Sequence, residues 1–351
     1  MTNQSRTGER QLKRHNHYVP SLYLKRWAQE GRICTYRVLV PHQRCAVWKL
    51  YWLDAIATHK HLYTKIALSG ESDEFERWLD KDFERPAEPA IDRALNDSSL
   101  SREHWQSIIR FVAAQDVRTP ARLVEMLRRT ESYSEDVQRA ATESVQRMEA
   151  AIREGRPLQT PAIKQTRFPL PAQVSVKRSG GPEGGGTLEV SAMIGRAMWL
   201  HQLERLLTHT FQVLTVHHWT ILRPPKGHQW MTSDDPVIRI RFSESGHYDF
   251  KGGWGSPGGV ILMPLGPEHL LYTQIGSREP WIKGVRLSVE LFARMQRMIV
   301  EHAHRYVFSV SENHDVARIR PRTEDSNMYR AEAAQWARWH AEQSAVERSL
   351  L

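Results

Sequence analysis

The sequence predicts an α+β fold, in which a helical first half packs with a second half of short, mostly antiparallel strands and two amphipathic helices. Apolar residues at helical spacing dominate the first half, whereas short alternating runs separated by proline and glycine dominate the second. A regular alternation of strands and helices would indicate a parallel sheet, and the chain does not show it.

The first elements are predicted to be a short helix and a pair of strands. Residues 21–28 form the helix, because Pro20 suits a first turn that needs no amide donor, and Gly31 ends it. Residues 33–38 and 46–50 then alternate apolar and polar side chains in the manner of two paired strands.

Three helices are predicted in the rest of the first half. The first covers residues 71–95. The second begins at Ser101 and breaks near Pro120, because proline pushes the residue before it out of helical conformation. The third covers residues 134–153 and is polar on most faces, which indicates a surface position.

Residues 155–190 are rich in proline and carry the glycine-rich run 180–186. This composition favours a linker or mobile loop over regular structure. The predicted organisation is therefore one large α+β domain over residues 15–313 that contains this segment. A disordered basic tail over residues 1–14 precedes the domain, and a charged helical tail over residues 314–351 follows it.

The second half is predicted to hold short strands and two amphipathic helices. The first of these helices covers residues 191–213, and Ser288 caps the second. Strands are predicted at residues 219–222, 229–232, 237–240, 270–273 and 306–310, and a further helix at residues 331–348.

Bulk composition narrows the class of protein. The formal net charge of +9 favours an anionic partner, such as nucleic acid or another phosphate-containing anion, although acidic residues are interleaved with the basic ones. Two cysteines, Cys34 and Cys45, make no disulfide framework or zinc finger and fit a reducing, cytoplasmic setting. No apolar run approaches the length of about 18 residues that a membrane helix needs, so no membrane partner is expected.

The motif His-Asn-His-Tyr-Val-Pro at residues 15–20 carries the first candidate site residue, His17. A histidine beside tyrosine and proline, next to a basic tail, has the chemistry of a general acid or base or of a phosphate donor. The alternative is structural: His17 and Tyr18 hydrogen-bond the backbone where the N-terminal segment docks.

The motif Ser-Asp-Asp-Pro-Val at residues 233–237 places two carboxylates in a turn between predicted strands. Catalytic and metal-binding carboxylates often lie on such loops, and Asp234 is the candidate that orients a histidine or activates water. The alternative is a turn in which serine and aspartate satisfy the neighbouring amides.

The motif Gln-Asp-Val-Arg-Thr-Pro at residues 115–120 lies late in an apolar helix. Gln115 and Arg118 are three residues apart and share a face, and arginine offers a planar fork for phosphate or carboxylate. The competing interpretation is a buried Arg118 that pairs with Glu76, Glu84 or Asp234.

Four basic residues near the N-terminus are predicted to bind nucleic acid. They are Lys13, Arg14, Lys25 and Arg26.

The sequence does not identify a cofactor, because no histidine spacing indicates a metal site. The pairs 59/61, 217/218 and 302/304 lack the spacing of four residues that joins two histidines on a helix, and Glu301-x-x-His304 occurs once and unpaired. A divalent metal is compatible with the sequence, but no metal ligand is predicted. The sequence contains no P-loop, dinucleotide-binding or serine-hydrolase motif.

The order of these motifs resembles a bacterial family catalogued as domain of unknown function 4238. The likeness rests on His-x-Tyr-Val-Pro from His17, Tyr-Leu-x-x-Trp from Tyr23, Gln-x-x-Arg-x-Pro from Gln115 and Thr-Ser-Asp-x-Pro-Val from Thr232, and it extends to the strand at Tyr306. The family has no established mechanism, so the resemblance implies no residue roles.

The resemblance implies that the motifs belong to one domain and that their polar residues converge in space. This sequence departs from the family pattern at Trp27 and Asp235, where phenylalanine and asparagine are expected.

Together these features predict an enzyme that acts on a phosphate-containing substrate, with a nucleic-acid hydrolase as the leading interpretation. In it, His17 is the acid or base, Arg118 binds the anion, and Asp234 orients the histidine or activates water. The alternative is a non-catalytic nucleic-acid-binding or sensor subunit, in the setting of a defence system. Its binding would fall steeply with salt and survive the loss of His17 or Asp234.

Overall fold

The computed structural model divides into two compact units, one formed by Met1–Thr119 with Phe211–Leu351 and the other by Pro120–Thr210. Their mixture of helices and antiparallel sheets confirms the α+β class. The prediction of a single domain over residues 15–313 stays a prediction. The structure describes residues 12–68, 70–132, 134–156, 167–168, 171–178, 186–244, 246–277 and 286–349.

The helices are numbered in chain order. They are α1 (Ser21–Leu24), α2 (Glu74–Leu79), α3 (Arg85–Leu95), α4 (Arg102–Val117), α5 (Pro120–Ser132), α6 (Ser134–Arg153), α7 (Arg196–Arg205), α8 (Gln212–Thr215), α9 (Val289–His302), α10 (Asp315–Ile319) and α11 (Ser326–Arg348). A 3-10 turn occurs at Leu53–Ala55, and π-helical segments occur at Asp80–Glu84 and Leu206–Thr210.

The strands are short. They are β1 (His15–His17), β2 (Arg32–Arg37), β3 (Leu39–Val40), β4 (Trp48–Trp52), β5 (Thr58–Lys60), β6 (Lys65–Ala67), β7 (Gly70–Ser72), β8 (Ala172–Arg178), β9 (Gly186–Ala192), β10 (Trp219–Leu222), β11 (Thr232–Ser233), β12 (Ile238–Phe242), β13 (Tyr248–Asp249), β14 (Val260–Gly266), β15 (His269–Gln274), β16 (Tyr306–Ser309) and β17 (Thr323–Glu324).

Two antiparallel sheets organise the first unit. One has five strands in the order β10-β15-β14-β12-β13, and the other has four in the order β11-β16-β2-β4. In the second sheet, N-terminal strands pair with C-terminal ones, because Cys34 lies opposite Ser309 and Tyr36 opposite Val307. The two ends of the chain therefore build one sheet.

The core of the first unit lies between the five-stranded sheet and α9. Phe292, Met295 and Ile299 of α9 belong to one buried cluster with Leu262 and Leu270 of the sheet. These helix residues are three and four positions apart, so they share one face, and burying that face gives the helix most of its stability.

The predicted starts and breaks of helices are confirmed where the signal is local. The Ser101 side chain accepts a hydrogen bond from the amide of His104, which closes a capping box at the start of α4. Ser288 caps α9 in the same way, through the amide of Leu291. Helix α4 ends two residues before Thr119, and Pro120 begins α5.

In the first half of the chain, two predicted helices differ in extent from the structure. The helix expected over residues 21–28 ends at Leu24. The helix expected over residues 71–95 begins at Glu74 and is interrupted by the π-helical segment Asp80–Glu84. Such segments occur frequently at functional sites, and this one places the Glu84 side chain in the buried interior.

Strand β14 was not predicted, although it is central to the five-stranded sheet. All its residues are buried, so it has no alternation of polar and apolar side chains. Pro264 also lies within it, and proline is usually absent from the interior of a sheet because it cannot donate a backbone hydrogen bond. The register shifts between Pro264 and Gly266, which marks a bulge at the proline. Conversely, the strand predicted at 229–232 is reduced to Thr232–Ser233.

The second unit contains a hairpin where a linker or loop was predicted. Strands β8 and β9 pair in antiparallel register from Ala172 opposite Ala192 to Arg178 opposite Gly186. The helix expected over 191–213 consequently begins later, at Arg196. Within this unit, the Glu204 side chain accepts the amides of Arg167 and Phe168, each at 2.8 Å. The remaining predicted loop residues, 157–166, 169–170 and 179–185, lie outside the described residues.

Within the first unit, the C-terminal region packs against strands near the N-terminus. Strand β17 pairs with β3, and the Glu347 carboxylate near the end of α11 accepts the amide of Ile66 in β6 at 2.8 Å. Helix α11 starts five residues before the predicted position. None of the helices in the described ranges has the length and apolar character that a membrane span requires. Most of the predicted basic tail, residues 1–11, lies outside those ranges.

Candidate functional site

The end of α4 holds the main chain of the His-x-Tyr-Val-Pro motif. Gln115 Nε2 donates to the Tyr18 carbonyl at 2.9 Å, and the Arg118 guanidinium donates to the His17 carbonyl. Both side chains are almost fully buried, with 0% and 1% relative exposure. The predicted Gln-x-x-Arg face therefore exists, and it binds two consecutive peptide groups of the protein itself.

Arg118 is also held by an acidic and an aromatic neighbour. Its guanidinium pairs with the carboxylate of buried Glu84, and the Tyr63 hydroxyl donates to its carbonyl at 2.7 Å. Burial disfavours the charge, yet Glu84, Tyr63 and Glu76 together raise the pKa of Arg118 above its ordinary value. The structure thus pairs Arg118 with Glu84, one of the partners named by the structural interpretation.

Glu76 is a second carboxylate that interacts electrostatically with Arg118. The residue is half-buried, but its Oε2 is buried and has no hydrogen-bond partner among the described residues. Burial raises the pKa of Glu76 to about 7, and the negative Glu84 adds to the effect while Arg118 opposes it. At neutral pH this side chain exchanges between a protonated and an ionised form.

His17 is half-buried at the end of β1, and its Nδ1 has no hydrogen-bond partner within the described part of the chain. Burial lowers the pKa of His17, and the neighbouring positive charge of Arg118 lowers it further, while Glu84 and Asp54 oppose both. The imidazole is therefore neutral at physiological pH. A neutral imidazole can accept a proton.

Asp234 binds main-chain amides instead of a histidine side chain. Its Oδ1 accepts the amide of His304 at 2.9 Å, and its Oδ2 accepts the amide of Arg305 at 2.8 Å. Burial raises the pKa of Asp234 to about 7, against the opposing effect of the amides of Arg305, Tyr306 and His304. The carboxylate fixes the link between α9 and β16.

Asp235 joins the same turn to the end of α4. Its Oδ1 accepts the Thr119 hydroxyl at 3.0 Å, and its amide donates to the Ser233 hydroxyl at 3.2 Å. The second contact is the serine turn that was the structural alternative for this motif. His302 Nδ1 lies 2.9 Å from the Asp235 carbonyl.

The three motifs consequently meet at one buried joint, as the family resemblance implied. The end of α4 contacts the first motif through Gln115 and Arg118, and the third motif through Thr119. Burial raises the pKa of Tyr18, and the negative charge of Asp234 contributes to that shift, so the first and third motifs are also close. No contact joins the Asp234 carboxylate to the His17 imidazole among the described residues.

The four predicted nucleic-acid-binding residues are all engaged in ion pairs. Lys13 lies 3.6 Å from Asp80, Arg14 lies 3.8 Å from Glu71, Lys25 lies 2.5 Å from Glu88, and Arg26 lies 3.0 Å from Asp92. The Arg26 side chain is only 5% exposed. These partners neutralise much of the positive potential that would attract a polyanion.

Sequence reasoning missed an aromatic and histidine surface between β5 and α11. The His59 ring stacks on Tyr18 at 5.4 Å and on Trp336 at 4.1 Å, and the ring of His61 stacks on that of His340 at 3.8 Å. Trp336 and His340 are one helical turn apart, and His59 and His61 are two residues apart. These spacings place each pair on one side of its own segment, but neither spacing indicates that the two segments meet.

One cluster among the described residues has the composition of a metal site. His61, Glu71 and His340 each offer a ligand atom, and these atoms lie within 4.8 Å of one another. His61 follows β5, Glu71 belongs to β7 and His340 belongs to α11, so His340 is distant in sequence from the other two. Spacing along the chain could not reveal this set.

A separate cavity of about 330 Å³ lies beside β10. Its walls include the half-buried Trp105 and Trp219, together with Asp97, Ser98 and Arg223. The Trp219 indole donates to the carbonyl of Leu214 at 2.9 Å, which fixes the plane of that ring.

A comparison with protein families matches residues 15–313 to the family described as "Protein of unknown function (DUF4238)". The chain belongs to this family. The match contains all three motifs and ends before α11, so in this DUF4238 protein the helix that carries His340 lies beyond the matched region. Searches of the curated proteins and of the solved structures gave no significant match.

Proposed function

We propose that this DUF4238 protein is an enzyme that acts on a phosphate-containing substrate, with nucleic acid as the leading substrate class and His17 as the acid–base group. The observation that supports the proposal is that the side chains of Gln115 and Arg118 donate hydrogen bonds to the main-chain carbonyls of Tyr18 and His17. A catalytic side chain works best when the backbone that carries it is fixed by surrounding contacts.

His17 has the properties of a general base. The residue is half-buried, its Nδ1 atom is buried, and its pKa is lowered by burial and by Arg118. It is therefore deprotonated at neutral pH, which is the form that removes a proton from water or a hydroxyl group.

The roles of the other predicted site residues change in this proposal. Gln115 and Arg118 become positioning residues, because their side chains are buried and bound to the protein's own main chain. Asp234 likewise positions the chain at His304 and Arg305.

The substrate anion needs a different cation, and the β1–β5 pair offers one. Lys60 lies opposite His15 in this pair, and His15 is two positions from His17 on the same strand. The side chains of Lys60 and His15 are both exposed. An exposed lysine beside the proposed base suits a phosphate group.

The proposal is tested by incubating the purified protein with single-stranded RNA, single-stranded DNA and nucleotides. Replacing a general base typically costs about 100-fold or more in rate, so His17→Ala should lose that much activity. His15→Ala is the matched control, because His15 lies on the same strand and is exposed. Equal cleavage by the two variants, or no cleavage by the wild type, would refute the proposal.

A second candidate is a non-catalytic nucleic-acid-binding or sensor subunit, and the cavity beside β10 favours it. Trp105 and Trp219 offer ring faces there, and bases stack on such faces without regard to sequence. This function predicts RNA or DNA binding that weakens with salt, is reduced by Trp219→Ala and is unchanged in His17→Ala. A role in a defence system would be an extension of this candidate.

A further inference from the structure

The cluster of His61, Glu71 and His340 brings together three chain segments at the surface of the first unit. His61 directly follows β5, Glu71 lies in β7, and His340 lies in α11, 269 residues from Glu71. His340 Nε2 is 3.1 Å from Glu71 Oε1, and the imidazoles of His61 and His340 are stacked with their centroids 3.8 Å apart.

We propose that His61, Glu71 and His340 bind one divalent transition-metal ion of the zinc class. Two imidazoles and one carboxylate form a ligand set that zinc uses in sites with three protein ligands and one open position. Imidazole nitrogen favours zinc and its neighbours over magnesium or calcium, which prefer oxygen ligands throughout.

The distances suit an ion-free state of such a site. Ligand atoms bonded to zinc at about 2.0–2.1 Å in a tetrahedron lie about 3.4 Å from one another. The three ligand atoms here lie within 4.8 Å of one another, so binding needs a contraction of little more than 1 Å. Binding also requires the two imidazoles, which are stacked with their centroids 3.8 Å apart, to rotate so that a nitrogen of each faces the ion.

The neighbours of the ligands can orient them. Ser344 Oγ lies 3.4 Å from His340 Nδ1, on the side of the ring away from the Nε2 that faces Glu71. When Nε2 binds a metal, Nδ1–H can donate a hydrogen bond to this hydroxyl oxygen. Arg14 Nε lies 3.8 Å from Glu71 Oε2, which leaves Oε1 to the ion. Outer partners of this kind typically accompany metal ligands.

The main chain also fixes the position of His61. Its φ angle is 55°, in the left-handed region that non-glycine residues rarely adopt, and its amide donates to the Arg14 carbonyl at 2.7 Å. Glu71 is exposed and the two histidines are half-buried, so an ion and a water molecule reach the cluster directly from solvent. With three protein ligands, the fourth coordination position of the metal would be open to water or another ligand.

The test is zinc titration of the full-length, tag-free protein after treatment with a chelator, followed by calorimetry. We expect one zinc ion per chain, a rise in melting temperature on zinc addition, and visible absorption bands of tetrahedral cobalt when Co²⁺ replaces zinc. Glu71→Gln and His340→Ala should each weaken binding by at least about tenfold and remove the zinc-dependent rise in melting temperature. Far-UV circular dichroism checks that both variants fold, and exposed Glu71 is the safer of the two positions.

Two matched controls separate this cluster from other zinc ligands. Cys45 Sγ lies 3.6 Å from His42 Nδ1 in an exposed pair that could also bind zinc, so Cys45→Ser removes this alternative and should leave zinc binding unchanged. His15→Ala removes an exposed histidine and should also have no effect. Less than one zinc per chain in the wild type, or equal affinity in Glu71→Gln and the wild type, would overturn the proposal. Since no substrate is present, this result is independent of the proposed hydrolase activity.

Discussion

The guanidinium of Arg118 donates a hydrogen bond to the main-chain carbonyl of His17, across 101 residues of sequence. Gln115 makes the equivalent contact with the Tyr18 carbonyl at 2.9 Å. The end of α4 thus determines where the His-x-Tyr-Val-Pro motif lies. Because these contacts use main-chain atoms, the His17 side chain can be replaced without removing them. Stability and activity can therefore be separated by mutation.

Loss of the Arg118 side chain should destabilise the protein severely. Arg118→Met leaves Glu84 buried without its cation and leaves the His17 carbonyl without its donor. Breaking a buried ion pair from one side typically costs about 3–5 kcal/mol, and we expect an unfolding free energy lower by that amount in urea denaturation. Arg85→Met, in an exposed pair with Asp80, is the control and should change stability little. An equal decrease in the free energy of unfolding in the two variants would show that the buried Arg118–Glu84 pair stabilises the fold no more than the exposed pair does.

The pH dependence of stability should carry a contribution from Glu76. Burial raises the pKa of Glu76 to about 7, from an ordinary value of 4.5 that also applies to the unfolded chain. The folded protein therefore binds this proton more tightly, so the associated stability is complete below about pH 4.5 and is lost as the pH rises through about 7. Glu76→Gln stays neutral at every pH. The free energy of unfolding of this variant should therefore rise relative to that of the wild type by about 3 kcal/mol as the pH rises from below 4.5 to above 7.

Urea denaturation at a series of pH values measures this difference. The control is the same substitution at an exposed position, Glu149→Gln, measured over the same series of pH values. A profile for Glu76→Gln that is parallel to wild type would contradict a raised pKa at this position.

Asp234 should prove structural in a comparison of stability with activity. Asp234→Ala removes the acceptor of the His304 and Arg305 amides, and each buried amide left unpaired costs about 1–3 kcal/mol. We expect a large fall in melting temperature for both Asp234→Ala and Asp234→Asn, because an asparagine amide presents a donor to one of the two amides. Asp249→Ala, which removes an exposed ion pair, should have little effect. Full stability with complete loss of activity would instead assign Asp234 a catalytic role.

Local signals in the sequence predicted much of this fold. Ser101, Ser288 and Pro120 determine helix starts and a helix break through their own backbone and side-chain chemistry, and all three act as expected. Strand β14 was missed for the opposite reason. It is buried on both faces, so it has no alternation to detect, and Pro264 lies within it.

The site could be predicted only in part. The motif order correctly indicated that His17, Gln115 and Arg118 converge, but it could not choose Glu84 among the candidate partners of Arg118, because the π-helical segment sets that geometry. His61 and His340 meet only because α11 returns to β5, a long-range packing that no spacing encodes.

The packing of α11 on β5 should control the titration of His59. Burial lowers the pKa of His59 to about 4, and Trp336 covers one face of its ring. Trp336→Ala admits water to that face, so the pKa should rise toward the ordinary value of 6.5. An NMR titration of the imidazole resonances measures the shift. Trp52→Ala, at a tryptophan that is 59% exposed, should leave His59 unchanged. A His59 pKa that stays near 4 in Trp336→Ala would show that α11 does not provide the burial.

The proposed role of His17 is tested most directly by the pH dependence of phosphodiester cleavage. Burial and Arg118 lower the pKa of His17 below its ordinary value of 6.5, so a base at this position remains deprotonated until the pH falls below that value. We expect kcat/KM of the wild type and of His15→Ala to be constant at neutral pH and to fall only on the acid side of 6.5. In His17→Ala, kcat/KM should be lower by about 100-fold or more and should lack this fall. Cleavage by His17→Ala with the wild-type rate and pH profile would contradict the assignment.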